Sequence, residues 1–183
     1  MHNGARAVRR NAIATLLSNV FGIERLRDGQ RRVIDSVLDG ADTLAIMPTG
    51  SGKSLCYQIP ARIFPGTTIV VSPLISLMKD QLEKLVELGV NATQVNSTLS
   101  REQEDDALEG ISSGRYRIVF CTPERLATPE FVATLKPVQV SLVVIDEAHC
   151  ISKWGHDFRP AYLDLSASID ALGHPPVLAL TAT

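Results

Sequence analysis

The stretch Met47-Pro-Thr-Gly-Ser-Gly-Lys-Ser54 constrains this chain more than any other. It follows an apolar run, Thr43 to Ile46, and leads into a segment compatible with a helix, Leu55 to Ile63. A strand, a glycine-rich turn and a helix start are the context a phosphate-binding loop needs. Gly50 and Gly52 let the backbone turn tightly, so that N–H groups along Thr49, Gly50, Ser51 and Gly52 approach phosphate oxygens. A helix starting near Lys53 adds unsatisfied N–H groups and the positive end of its dipole. Lys53 then reaches the β- and γ-phosphates, and the Ser54 hydroxyl suits Mg²⁺. The strict pattern has glycine at position 47, where this chain has Met47. The loop survives that change only if position 47 needs no positive φ. An ordinary Gly/Ser turn ahead of a helix would leave the same local pattern.

The 183 residues fit one domain with a proper core. A net charge of −2 argues against nucleic-acid binding by overall charge, so any such binding must rest on local patches. Cys56, Cys121 and Cys150 lie far apart, without CxxC spacing. That speaks against a zinc site or disulfide framework and for a reducing, intracellular setting rather than secretion. No apolar run is long enough for a membrane span, so no membrane partner is expected.

Along the chain, a first helix is predicted over about Val8 to Val20, with Val8, Ala12, Leu16, Leu17 and Val20 on one stripe. Gln30 opens a second amphipathic helix that Gly40 ends. Asp42 to Met47 reads as the first core strand, and Thr67 to Ser72 as a strand buried on both faces. Pro73 starts a helix with Leu74, Leu77, Met78, Leu82, Leu85 and Val86 as apolar positions and Gly89 at its end. Ala92 to Val95 is a short strand. Ser100 and Gln103 form a capping box for a polar helix ending near Gly114. Further strands are expected at Arg117 to Cys121, Val140 to Ile145 and Val177 to Leu180, with short helices around Glu130 to Leu135 and from Pro160 onward. Alternating strands and helices predict an α/β fold: a mostly parallel sheet with helices on both faces. Ligands in such sheets sit at the carboxyl ends of the strands, where Met47, Ser72, Cys121, Asp146 and Leu180 all fall.

Asp146 and Glu147 directly follow the most apolar strand. Two acidic residues at a strand end are often a solvated turn. Beside a phosphate loop on the same sheet edge, Asp146 can hold Mg²⁺ and Glu147 can orient and deprotonate an attacking water.

These residues match a family. Met47–Ser54, the tetrad Asp146-Glu-Ala-His149 and the terminal Thr181-Ala-Thr183 resemble motifs I, II and III of superfamily 2 helicases. Phe21–Gln30, Met47–Gln58, Val70–Gln81, Thr122–Leu126 and Asp146–Tyr162 are similar to signatures of the RecQ family of DNA helicases. The resemblance implies a RecA-like P-loop domain over residues 1–183, with helices in 1–40 carrying the adenine-reading motif. It implies ATP and Mg²⁺ as cofactors, 3′-to-5′ unwinding of duplex DNA, binding of single-stranded and duplex DNA, and a place in DNA repair and recombination. Lys53, Asp146 and Glu147 take the catalytic positions, and Ser54 and Asp146 the metal positions. Arg27 and Gln30 match the adenine readers. Gln30 suits the task chemically, since an amide donates and accepts at once, and Arg27 can lie on the base face. Ile23, Leu26 and Asp28 stand where family members often carry an aromatic residue, Phe and Pro, which bears on adenine selectivity.

The loop Ser152–Arg159 resembles the aromatic-rich segment that senses single-stranded DNA. Trp154 and Phe158 suit base stacking, although such aromatics more often close a core. Lys153 and Arg159 can meet phosphates. Ser76 and Arg125 resemble DNA-backbone contacts, and His149, His156, Thr181 and Thr183 coupling residues. The chain ends on a strand, without motifs IV to VI. It resembles an excised first domain, whose partner is a second RecA-like domain carrying an arginine finger worth on the order of 10³ or more in rate. The expectation is that the isolated chain binds ATP–Mg²⁺ weakly and does not unwind DNA. An RNA helicase or translocase, or a nucleotide-dependent binding module without catalysis, are the alternatives. The intact Lys53, Ser54, Asp146 and Glu147 argue against the second.

Overall fold

The computed structural model describes residues 2–152 and 159–182. Six strands form one sheet: β1 (Thr43–Ile46), β2 (Thr67–Val71), β3 (Ala92–Val95), β4 (Ile118–Cys121), β5 (Val140–Ile145) and β6 (Val177–Thr181). Their order is β1-β6-β5-β2-β4-β3, and every neighbouring pair is parallel. The α/β expectation holds, and the sheet is parallel throughout. The helices are α1 (His2–Leu16), α2 (Asp28–Leu38), α3 (Leu55–Ile63), α4 (Ile75–Glu87), α5 (Arg101–Ser112), α6 (Pro123–Leu126), α7 (Pro129–Leu135) and α8 (Leu165–Ala171). None is long and apolar enough to cross a membrane.

β2 is buried at every position because helices cover both faces of the sheet. Side chains alternate between the two layers. Val70 and Val144 pack with Tyr57, Met78 and Leu85 on the side of α3 and α4. Ile69, Val71, Val143 and Ile145 pack with Ile111, Phe131, Leu165 and Ile169 on the side of α5, α7 and α8. A third cluster of Ile13, Leu17, Ile34, Leu38 and Ile59 holds α1 and α2 against α3.

Several expectations need correction. β1, read as the first core strand over Asp42 to Met47, is the half-exposed edge strand Thr43–Ile46. β6 arrives from the far end of the chain to flank it, and only one face of β1 is covered. Ala45 is buried while Leu44 and Ile46 are 66% and 65% exposed. The first helix begins earlier than predicted and passes into a π-turn at Leu17–Phe21. Its buried line is Ile13 and Leu17, and Val8 faces out. α2 begins at Asp28 rather than Gln30. α4 begins at Ile75, and Leu74, Leu77 and Val86 are exposed, leaving Met78 and Leu85 as its buried anchors. After Pro160 the chain makes a 3₁₀ turn, Pro160–Asp164, before α8 rather than one continuous helix. The capping box on α5 forms as read. Gln103 N donates to Ser100 Oγ at 3.3 Å, and Ser100 N donates to Gln103 Oε1 at 3.0 Å.

Candidate active site

The order β1-β6-β5 sets three strand ends side by side, so the segments after Ile46, Thr181 and Ile145 meet at one edge. Their cleft has a volume of about 370 Å³, and Gly50, Gly52, Lys53, Ser54, Asp146 and Glu147 are among its lining residues. The two sequence motifs do converge.

Gly50 and Gly52 have φ of 76° and 79°, the left-handed region that favours glycine. Met47 is not in that region; among the described residues only Glu147 and His174 are non-glycine residues with positive φ. Met47 instead sits buried beneath the loop, 3.8 Å from the Cys56 sulfur. The condition for tolerating methionine at position 47 is therefore met. Ser51 N donates to Pro48 O at 3.1 Å, closing the turn, and Lys53 Nζ lies 3.4 Å from Met47 O.

Arg27 and Gln30 lie against this loop. Arg27 donates to Gly50 O at 3.2 Å. Gln30, only 3% exposed, is tied on both sides. Its Oε1 accepts from Arg27 N at 2.9 Å, and its Nε2 donates to Ser51 O at 3.0 Å and Gly52 O at 3.1 Å. Both amide protons are used by the loop, so one lone pair remains for any further partner. The approach is close enough that a Cβ at Gly52 would stand 2.5 Å from Gln30 Nε2.

On the opposite wall, burial and then the neighbouring Glu147 push the Asp146 carboxyl up from 3.8 to about 6, while the Glu147 backbone N–H, Lys53 and His149 act the other way. Glu147 holds φ 50° and ψ 48°, a costly conformation for a non-glycine residue and one that clusters at functional sites. Tyr162 donates its hydroxyl to Asp146 O at 3.1 Å. The two halves of the cleft are joined by Thr181. Its carbonyl accepts from Met47 N at 2.9 Å, and its Oγ1 lies 3.2 Å from His149 Nδ1, which is also 3.3 Å from Glu147 Oε2.

The Ser54 hydroxyl and the Asp146 carboxylate, the two residues matched to a metal, both line the cleft and both offer oxygen. Among the described residues no three His, Cys, Asp or Glu side chains group into a metal cage. This donor set fits Mg²⁺, which takes few protein carboxylates and completes its shell with phosphate and water.

The residues matched to DNA contacts differ in setting. Ser76 is exposed in the first turn of α4. Arg125 is engaged. It forms an ion pair with Glu104 of α5, lies 5.4 Å above the Phe131 ring centre, and buries an Nε with no hydrogen-bond partner. Arg159 lies 3.7 Å from Glu124. Lys153, Trp154, His156, Phe158 and Thr183 lie outside the described residues. Sequence reasoning missed Tyr57, Ser72 and Gln81, which also line the cleft. The signal was present, since all three fall inside the stretches Met47–Gln58 and Val70–Gln81.

Comparison with known proteins agrees with this geometry. The chain is 52% identical to the ATP-dependent DNA helicase RecQ of Bacillus subtilis (strain 168), over 92% of this chain and 29% of that protein. It is 48% identical to RecQ of Pasteurella multocida, over 92% of this chain and 27% of that protein. It is 43% identical to the ATP-dependent DNA helicase Q5 of Mus musculus, over 96% of this chain and 19% of that protein. The chain thus spans less than a third of each of these relatives. Among solved structures, the DUF1998 helicase MrfA bound to DNA and AMPPNP superposes with a TM-score of 0.75 at 20% identity, over 94% of this chain and 26% of that one. The Mycobacterium smegmatis helicase Lhr, bound to ssDNA and AMP-PNP, gives 0.69 at 22% identity, over 97% and 24%. At such identities the likeness is one of fold, the RecA-like fold. The DEAD/DEAH box helicase profile matches residues 27–183, from the Arg27–Gln30 pair through the whole sheet that builds the cleft, and the chain belongs to that family.

Proposed function

We propose that this chain is the ATP-binding motor domain of a RecQ-type helicase that unwinds duplex DNA 3′-to-5′. The observation that carries the reading is the convergence of Lys53 and Ser54 with Asp146 and Glu147 on one cleft, bridged by Thr181. The backbone N–H groups of Thr49 to Gly52 receive the phosphates, and Lys53 neutralises their charge. Ser54 and Asp146 would hold Mg²⁺, which would supply positive charge to the phosphates. Glu147 takes the proton of the attacking water. Arg27 and Gln30 stand where a base would follow the phosphates, and the bonds of Gln30 to the loop make it a sensor of loop position as much as a reader of adenine.

The two strand ends meeting at Thr181 support a coupling role for His149 and Thr181. Ser76, Arg125 and Arg159, with Trp154 and Phe158, are the proposed DNA contacts; His156 and Thr183 are proposed coupling positions. A second RecA-like domain of a longer protein would close the cleft and supply the missing positive charge, so this chain alone is a weak ATPase and no helicase. The setting is intracellular, where the DNA is.

The direct test is titration of a fluorescent ATP analogue, with Mg²⁺, into this chain and its Lys53→Ala variant. Loss of a charge-assisted phosphate contact weakens binding by about tenfold or more. Equal affinities would remove the nucleotide reading. DNA-stimulated ATPase and unwinding are measured on the longer protein.

A further inference from the structure

Ser72 ends β2, and its place in the sheet gives it a part in the cleft. β2 and β5 run in parallel register, with Val70 beside Val144 and Val71 beside Ile145. The ladder continues one step further, because Asp146 N donates to Val71 O at 2.8 Å. Ser72 is therefore the lateral neighbour of Asp146, on strands about 4.8 Å apart. Side chains two residues apart share a face. Val70 and Val144 belong to the layer of α3 and α4, so Ser72 and Asp146 present their side chains to that same layer, where the cleft lies.

The Ser72 hydroxyl is 2% exposed and has no hydrogen-bond partner in the protein. Buried hydroxyls are rarely left so, and an orphan beside a candidate site asks for a ligand. Gln81, another neutral acceptor lining the cleft, is already engaged. Gln81 Oε1 accepts from Gln58 Nε2 at 3.2 Å.

We propose that Ser72 is a positioning residue for the hydrated divalent cation of this cleft, its Oγ accepting a hydrogen bond from a metal-bound water. The proposal rests on the nucleotide reading above. Mg²⁺ keeps several of its waters when it binds through one or two carboxylates and phosphates. Each such water donates its protons outward and needs an acceptor. With Asp146 taken up by the ion, Ser72, beside it and unengaged, supplies a neutral acceptor. Groups of this outer sphere orient what the first sphere holds, and their loss costs roughly 10–100-fold in metal affinity.

The test uses Ser72→Ala in the full chain. A fluorescent, non-hydrolysable ATP analogue is bound at increasing Mg²⁺, and separately in EDTA, with a thermal melt of each protein. The expected result is a rise of about tenfold in the Mg²⁺ concentration at half-saturation. Affinity in EDTA stays unchanged and the melting temperature is not lowered. An unchanged Mg²⁺ midpoint overturns the proposal. So does equal weakening with and without metal, or a lowered melting temperature, since either reveals a structural hydroxyl. A wild-type chain that binds the analogue indifferently to Mg²⁺ sinks the metal reading of Asp146 too. A wild type that responds to Mg²⁺ beside an indifferent Ser72→Ala sinks this proposal alone.

Discussion

Replacing Asp146 by asparagine should make the ligand-free domain more stable while removing its response to Mg²⁺-nucleotide. The cause is the cost of a charge held in the cleft. Burial and then Glu147 raise its pKa from 3.8 to about 6, with Lys53 and His149 offsetting only part of this. The native state therefore binds a proton more tightly than the unfolded chain between about pH 4 and 6. Stability falls as pH rises through that window and stays lower above it. A shift of about two units corresponds to roughly 3 kcal/mol at pH 8, and to about half of that at pH 5. Relaxation around the carboxylate reduces the figure, so a gain of about 1–3 kcal/mol is expected from Asp146→Asn at pH 8. For a domain of this size that is a rise in melting temperature of roughly 2–10 °C. The assay is a thermal or urea melt of both proteins at pH 5, 6.5 and 8. The gain should grow with pH and level off above the raised pKa. A variant less stable than wild type at pH 8, or a gain independent of pH, would refute the electrostatic account. Mg²⁺ with an ATP analogue should then stabilise the wild type far more than the variant, because ligand that binds only the native state adds to stability through its affinity.

Two further outcomes follow from packing. Gly52→Ala places a Cβ at a left-handed φ and 2.5 Å from Gln30 Nε2, so it strains the backbone and breaks bonds from α2 to the loop. A loss of about 2–3 kcal/mol is expected, and a melt showing less than about 1 kcal/mol would mean that Gln30 simply moves aside. Glu104→Gln removes the charged partner of Arg125 and should lower stability by about 1–2 kcal/mol. A double-mutant cycle with Arg125→Gln should show coupling of about 1 kcal/mol, and strict additivity would show that the pair is idle.

The glycine-rich turn between β1 and α3 was legible from sequence because glycine spacing, a preceding strand and a following helix are all local requirements. The strands were legible where both faces are buried, as in β2, since nothing then interrupts the β-branched run. β1 misled because an edge strand and a fully covered one share the same apolar letters, and its place depends on β6, which lies over 130 residues away along the chain. The stripe on α1 misled for a related reason. Ile13 and Leu17 are buried because α2 and α3 meet them there, and no such partner meets Val8. Arg125 shows a limit of another kind. A motif marks it for a phosphate, but the folded chain sets it against Glu104 and Phe131, contacts between helices that no local pattern announces. The left-handed Glu147 was equally invisible, because glutamate gives no sign of such a backbone.

The edge position of β1 has a mechanical consequence. The strand that leads into the loop has β6 as its one partner within the sheet. Across that pairing the last rung is Met47 N to Thr181 O, and the same threonine touches His149 on the far side. Within the sheet, a displacement of Lys53 relative to Asp146 is taken up along β6. Thr181 thus behaves as a strain gauge set between the two walls of the cleft, carrying part of any load from one to the other beside the packing of α3 on β5.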